Sequence, residues 1–354
     1  IGGRGDHEPS LQPDGTRLFA RLRDYAGRGV VTTSTYEARA LGAFSGMGLM
    51  KAAKLAPEAV LLPADFDAYR HYSRLFKAAV AGITGEIEDR GIDEIYIDLS
   101  ELADDTRALA LRIKQAVRET TGLSCSIGVS PNKLLSKICS DLDKPDGLTI
   151  ISLADIPERI WPLPARKING IGPKAAEKLA GIGITTIGEL AHAEPALLQE
   201  HFGLSYAAWL HQAANGIDEQ PVITRSEPKS ISRETTFERD LHPRRDRSAL
   251  SEVFTSLCER VARDLQRKRY LGRTIGIKLR YDNFRTLTRD LTLPAPTADA
   301  TVIRRAAGEC LRRVPLDRRL RLLGVRASAL ISDEAPHAPG GSPQGELPLA
   351  GPAS

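Results

Sequence analysis

The sequence predicts an α+β protein built of several domains. Strand-like and helix-like stretches alternate up to about residue 155, helices dominate from about 156 to 216, and a strand–helix mixture returns after 230. The chain has 354 residues, and a domain takes roughly 100–200. Charge is divided unevenly. Between Arg225 and Arg326 there are 25 Lys/Arg against 13 Asp/Glu, a balance of +12 in a chain of net charge +4, so the rest carries −8. A basic segment joined to an acidic one suits a polyanion held by one part and metal-dependent chemistry in the other.

Composition narrows the class. The chain is 42% apolar and 27% charged, as in ordinary soluble domains. It has no run of 18 apolar residues, the length a membrane helix needs. The opening stretch IGGRGDHEPS has no apolar core of a signal peptide. Cys125, Cys139, Cys258 and Cys310 lie far apart with no CxxC pair, which argues against zinc or a disulfide framework and fits a reducing cytoplasm.

The elements follow in order. TRLFARLRDY reads as a short helical patch, GVVTTSTYEARALG as a strand running into a helix, and SGMGLMKAAKLAP as a short helix. DFDAYRHYSRLFKAAVAGI has helical spacing, IDEIYIDLS alternates as a strand, and DDTRALALRIKQAVRETTG is a helix entered through acidic residues. LSCSIGVS is a strand, followed by the helix NKLLSKICSDL and the turn KPDG. After the extended TRSEPKSISRE, two helices and three strands (ISRETTF, TIGIKLRYDNF and LRLLGVRASAL) form a small α+β unit. Residues from about 332 are rich in Pro, Gly, Ser and Ala and read as disordered. There is no internal repeat.

One strand poses a question. GIDEIYIDLS, residues 91–100, carries Asp93, Glu94 and Asp98. Adjacent strand residues face opposite sides, so Asp93 and Glu94 converge only if the backbone bends. Crowded carboxylates repel unless a cation sits between them, and Mg²⁺ suits such hard oxygen donors. Taken alone, such a pair more often marks a solvated strand end.

The neighbouring motifs decide the matter. TSTYEARALG, GIDEIYIDLS, GLSCSIGVSPNKLLSKICSDLDKPDGL and KINGIGPKAAEKLAGIGITTIGEL stand in this order. Together they resemble the Y-family (translesion) DNA polymerases, the bacterial DNA polymerase IV group in particular, over residues 1 to about 330. The resemblance implies a right-hand polymerase with palm, fingers and helix-hairpin-helix thumb, plus an α+β little-finger domain. Its boundaries are expected as fingers 1–64, palm 65–155, thumb 156–222, linker 223–229, little finger 230–331 and tail 332–354. The implied activity is DNA-templated DNA synthesis of low fidelity, with primer-template DNA and deoxynucleoside triphosphates as substrates.

The resemblance also assigns roles. Asp93 and Glu94 match the acidic pair that binds the catalytic metals, two Mg²⁺ ions. Asp98 has no metal role, and capping or a local salt bridge is expected of it. Tyr36 and Arg39 match the fingers residues on the incoming triphosphate, and Lys144 of KPDG matches the palm lysine on its phosphates. In the hairpin INGIGPKAAEKL, Gly170 and Gly172 let backbone approach a DNA phosphate and Lys174 adds charge. In the basic unit, Ile275, Ile277 and Leu279 face one side, with Thr274, Lys278 and Arg280 opposite. Leu323, Val325 and Ala327 likewise oppose Arg326 and Ser328. Lys278, Arg280 and Arg326 are thus expected on the duplex backbone, with Arg233 near it.

One part of the pattern is missing. The family's palm takes a further metal-binding Asp from a D-x-D-x-F/Y strand. This sequence has no such stretch, and Asp6 and Asp24 lack a β-branched context. The expectation is an N-terminally incomplete polymerase that, from Ile1 as written, binds DNA without extending a primer. The alternative is a catalytically dead DNA- and clamp-binding remnant. A helix-hairpin-helix nuclease or adaptor is disfavoured by the acid pair, Tyr36/Arg39 and Lys144. Residues 4–27 read as a surface extension of the fingers. In the tail, Gln344, Leu347 and Leu349 of QGELPLA match the Q-x-x-L-x-L pattern that docks on the sliding clamp. A cytoplasmic monomer with no membrane contact is expected.

Overall fold

In a computed structural model, residues 1–3 and 9–333 are described, and they divide into two units. One unit joins Ile1–Ala64 to the segment from Glu227 onward, and the other is Asp65–Ser226.

In the Asp65–Ser226 unit, the helices Phe66–Ala81 and Thr106–Thr121 pack through Val80, Leu109, Ile113 and Val117. Each starts on an aspartate, Asp65 or Asp105, whose carboxylate accepts from first-turn amides, and Gly122 in the left-handed region ends the second. Between them lies an antiparallel hairpin of Ile87–Asp89 with Ile95–Ile97. The strands Ile127–Val129 and Leu148–Ile150 pair in parallel, with the Lys133–Leu142 helix between them in sequence. Gly128 is required here, because a Cβ would meet the Ser136 carbonyl oxygen at 2.3 Å. The helices from Pro173 to Ala214 form a second core around Leu179, Ile187, Leu198 and Leu210, which Leu135 and Ile138 share.

The exit of this unit is held by charge. Glu88 is 6% exposed. It accepts from Lys133 Nζ at 2.7 Å, Ile223 N at 3.0 Å and Arg90 at 3.3 Å. Burial works to raise the Glu88 carboxyl, and these donors together hold it below its usual value. Lys133 Nζ also donates to the Pro221 carbonyl at 2.7 Å, Leu134 N to Asp218 at 3.1 Å, and Asn132 Nδ2 to Gly216 O at 2.7 Å. Residues 216–223 are therefore stapled to the start of the Lys133–Leu142 helix.

In the other unit, the N-terminal part has Gly2–Gly3 as the central strand of a three-stranded sheet, around a core of Leu22, Val31, Leu49 and Leu61. TRLFARLRDY does not form the expected helical patch. It gives a two-residue strand, Arg17–Leu18, and a single 3-10 turn, Leu22–Asp24. The C-terminal part is a four-stranded antiparallel sheet of Ser230–Leu241, Tyr270–Tyr281, Thr286–Thr297 and Leu320–Ser332. They run in the spatial order first, fourth, second, third. The helices Arg247–Arg267 and Ala300–Arg312 cover one face with Phe254, Leu257, Val261, Ile303 and Cys310. The Thr286–Thr297 strand is absent from the sequence reading. Its Pro294 and Pro296 look like breakers, yet it lies at a sheet edge, where proline is tolerated. Where the first strand bulges between Thr236 and Leu241, Arg28 bonds the Phe237 carbonyl at 3.0 Å and Asp240 at 2.6 Å.

Candidate active site and nucleic-acid interface

The acid pair does not lie within a strand. Asp93 and Glu94 sit in the hairpin turn just before Ile95–Ile97, and both are exposed. The Arg90 amide donates to the Glu94 carbonyl at 3.1 Å, closing the turn. The apolar residues of GIDEIYIDLS form the strand, and the acids precede it. Asp98 accepts from Ser100 N at 2.9 Å, a local turn contact; of the two roles expected, this is the capping one. The Ser100 contacts hold its carboxyl below the usual range.

Glu94 is ion-paired to Lys137 of the Lys133–Leu142 helix. Burial works against the Lys137 charge, and Glu94 outweighs it, so the ammonium pKa is raised. Lys137 was not anticipated, although its spacing of four from both Lys133 and Asp141 puts all three on one helix face. Lys144 pairs with Asp141 at 2.6 Å, both side chains 40% exposed. The turn beneath it is fixed by Asp146, which accepts from Lys114 at 2.6 Å and Arg118 at 2.7 Å. Gly147 completes the turn, since a Cβ there would meet the Asp143 carbonyl at 2.0 Å.

Tyr36 and Arg39 come together on the short Tyr36–Ala40 helix of the other unit. Thr35 caps it by accepting from Ala38 N. The guanidinium lies 5.1 Å from the Tyr36 ring centroid and donates to Ser34 O at 3.1 Å. The ring is half exposed.

The two hairpin glycines differ. Gly170 has φ +113° and lies against Trp209, whose ring carbon would be 2.6 Å from an added Cβ. Tyr206 stacks on Trp209 with centroids 5.2 Å apart and donates to the Gly170 carbonyl at 2.9 Å. Gly172 caps the Pro173–Ala180 helix and has open space where a Cβ would go, with Lys174 exposed beside it. Packing alone therefore requires a glycine at 170. The open approach to backbone amides is at 172.

On the four-stranded sheet, Ile275, Ile277, Leu279, Leu323, Val325 and Ala327 are buried on the helix side. Lys278, Arg280 and Arg326 are on the opposite face. Lys278 pairs with Glu234 at 2.8 Å, Arg326 with Asp290 at 2.8 Å, and Arg280 donates to Thr286 at 3.0 Å. Arg233 departs from its expected place. It is one residue out of phase with Glu234, opposite buried Val325, so it points to the helix side and bonds Asp264 at 2.5 Å. Asp264, 7% exposed, is also held by Arg267 at 2.6 Å, and these arginines, Arg233 first, keep its carboxyl below the usual range. Gln344, Leu347 and Leu349 lie outside the described residues.

As oxygen donors the acid pair fits a divalent cation. Among the described residues no group of three or more His, Cys, Asp or Glu side chains gathers to hold a metal. Asp24 lies on the Leu22–Asp24 turn, in a different unit from the pair, and Asp6 is outside the described residues.

Three family models match the chain. The impB/mucB/samB family covers residues 18–141, the IMS family HHH motif 154–184, and the impB/mucB/samB family C-terminal domain 228–345. A DNA polymerase IV of Methanoculleus marisnigri is 41% identical over 325 residues, 91% of this chain and 89% of that protein. DNA polymerase IV 1 of Bacillus subtilis is 36% identical over 332 residues, 93% and 79% of the two chains. Among solved structures, a Y-family DNA polymerase chimera of Dbh and Dpo4 matches with a TM-score of 0.73 at 25% identity, covering 89% of this chain and 91% of that one. DinB from Sulfolobus solfataricus matches with a TM-score of 0.58 at 25% identity, covering 85% and 88%. A right-hand polymerase fold, a helix-hairpin-helix and an IMS-type C-terminal domain thus agree with the motifs, and the chain belongs to the Y-family DNA polymerases, DNA-directed DNA polymerases, in the DNA polymerase IV group.

Proposed function

We propose that the chain serves low-fidelity translesion synthesis, extending primer ends opposite damaged template by nucleotidyl transfer. The carrying observation is the pair Asp93–Glu94, exposed together at the hairpin turn, with Lys137 paired to Glu94 and Lys144 on the turn that follows the Lys137 helix in the same unit. The pair would hold Mg²⁺, two ions by the family's pattern. Bound there, the metal would supply activation of the primer 3′-hydroxyl and neutralise charge developing on the triphosphate. Lys137 neutralises Glu94 while no cation is bound. Lys144 offers a point charge to the phosphates, and Tyr36 with Arg39 offers a hydroxyl and a fixed guanidinium. The domains are read as fingers 1–64, palm 65–155, thumb 156–222, linker 223–229, little finger 230–331 and tail 332–354. Amides at Gly172, with Lys174, take one phosphate of the duplex. Lys278, Arg280 and Arg326 take others, and Arg233 is left out because Asp264 occupies it. No described helix is long and apolar enough to cross a membrane. A cytoplasmic monomer, tethered to the sliding clamp through Gln344, Leu347 and Leu349, completes the reading.

The test is primer extension in a chain that carries the family's D-x-D-x-F/Y strand ahead of Ile1. Asp93→Ala and Glu94→Ala should each abolish extension while primer-template binding persists. Extension by both variants at the parent rate would remove the pair from the chemistry.

A further inference from the structure

The outer face of the four-stranded sheet repeats one arrangement twice. In one cross-strand row Ser232, Arg326, Gly276 and Asp290 stand side by side; in the next, Glu234, Gly324, Lys278 and Thr288. Arg326 and Asp290 are thus two strands apart with Gly276 between them, and Lys278 and Glu234 are two strands apart with Gly324 between them. Neighbouring strands are about 4.8 Å apart, so such a pair must cross about 10 Å of sheet. A side chain on the middle strand would stand in the way. Each middle position is a glycine, and each pair closes at 2.8 Å above it. The fit is tight: a Cβ on Gly276 would lie 1.9 Å from Asp290 Oδ1, and one on Gly324 2.9 Å from Glu234 Cβ. Both glycines are buried, while the four charged side chains over them keep 37–47% of their exposure.

We propose that Glu234 and Asp290 are built-in stand-ins for DNA phosphates. They hold Lys278 and Arg326 flat across the face and compete with a duplex backbone for the same two cations. This deepens the reading of the face as a duplex contact and rests on it. A carboxylate and a phosphate oxygen accept from these donors with the same geometry. Pairs this exposed are weak enough to exchange. The face grips DNA by trading one anion for another, which limits affinity without removing the contacts. An enzyme that must move along any sequence needs such limited, base-independent contact.

The experiment is duplex primer-template binding by the full chain, read by fluorescence anisotropy over a series of salt concentrations. Glu234→Gln with Asp290→Asn keeps shape and removes the competing charge. Affinity should rise by about two- to five-fold for each pair released, the scale of an exposed ion pair. Gly276→Ala reaches the same end sterically, by pushing the Asp290 carboxylate off Arg326, and should also tighten binding. Glu252→Gln with Glu259→Gln changes net charge equally, on the helix that covers the other face. That control should tighten binding less, and an equal gain would overturn local competition. Lys278→Gln with Arg326→Gln tests the underlying reading: unchanged affinity means that the face does not lie on the duplex. If that variant weakens binding while Glu234→Gln/Asp290→Asn leaves affinity unchanged or lower, the face stands and the competition proposal falls.

Discussion

Two acid–base pairs of the same chemistry behave differently because of where they sit. Glu88–Lys133 joins the hairpin to the neighbouring helix, with side chains only 7% and 11% exposed. Glu234–Lys278 lies on the open face of the long-stranded sheet, 47% and 37% exposed. The hairpin strands are three residues long, and those of the sheet twelve or thirteen. The short strands that flank the turn of the acid pair have little cross-strand pairing of their own, and buried charge completes their anchorage. The long strands stand on a continuous apolar core and leave their charges free to exchange. The position of an ion pair therefore decides whether it is part of the scaffold or open to exchange with solvent ions and other partners.

Breaking the buried pair should give the largest effect. Glu88→Ala leaves Lys133 buried without its acid and frees Ile223 N, a loss of about 3–5 kcal/mol in unfolding free energy by urea denaturation. Hydrogen exchange at residues 217–223 should rise in the same variant. Glu234→Ala should cost no more than about 1 kcal/mol. Equal costs for the two would erase the distinction. The pH dependence has a definite sign. The Glu88 carboxyl is held below its unfolded value, so its stabilisation is fully present above about pH 4.3 and is lost as pH falls through the folded pKa. The stability gap between parent and Glu88→Gln should therefore narrow in acid.

Glycines sharpen the comparison at a smaller scale. A Cβ at Gly128 would strike the Ser136 carbonyl at 2.3 Å and Ser140 N at 2.4 Å, atoms of a helix backbone that has nowhere to go. Gly128→Ala should cost at least about 1–3 kcal/mol. The first atom met by a Cβ at Gly276 is the end of a flexible, half-exposed carboxylate. Alanine there also gains about 0.5–1 kcal/mol of backbone entropy, so Gly276→Ala should be nearly neutral in thermal melts. A large loss at Gly276 would mean that the outer face is as rigid as the strand–helix packing around Gly128.

Much of this was legible in the sequence, and what was not has a physical cause. The helices Thr106–Thr121, Lys133–Leu142, Arg247–Arg267 and Ala300–Arg312 stand where apolar spacing puts them. The in–out alternation of residues 274–280 and 323–328 agrees with burial. The acid pair was legible as a pair but not as a turn, because IDEIYID alternates whether or not the first residues pair. Arg233 is expected near the duplex with no face assigned; being one residue out of phase with Glu234, it points to the helix side and pairs with Asp264. A glycine inside a strand ordinarily weakens it, and nothing in the sequence sets Gly276 or Gly324 apart. Their role appears only in the register of strands whose paired charges lie 36 and 44 residues apart.

The smallest effect tests the comparison most closely. A double-mutant cycle on Lys278 and Glu234, using Lys278→Met and Glu234→Gln, isolates their coupling in the free protein. Both side chains are well solvated, so water screens the attraction, and ordering a lysine offsets part of what remains. The coupling should be about 0.2–1 kcal/mol and should shrink as salt rises from about 0.05 to about 0.5 M, because the Debye length shortens from about 14 Å to about 4 Å and the exposed charges are screened more strongly. The same cycle on Lys133 and Glu88 should give a larger coupling that salt hardly changes, since ions cannot enter between buried partners. The decisive quantity is the difference in salt response. Were the Lys278–Glu234 coupling as large and as salt-insensitive as the buried one, the pair would be too strong for a phosphate to displace, and the outer face would be scaffold like the hairpin.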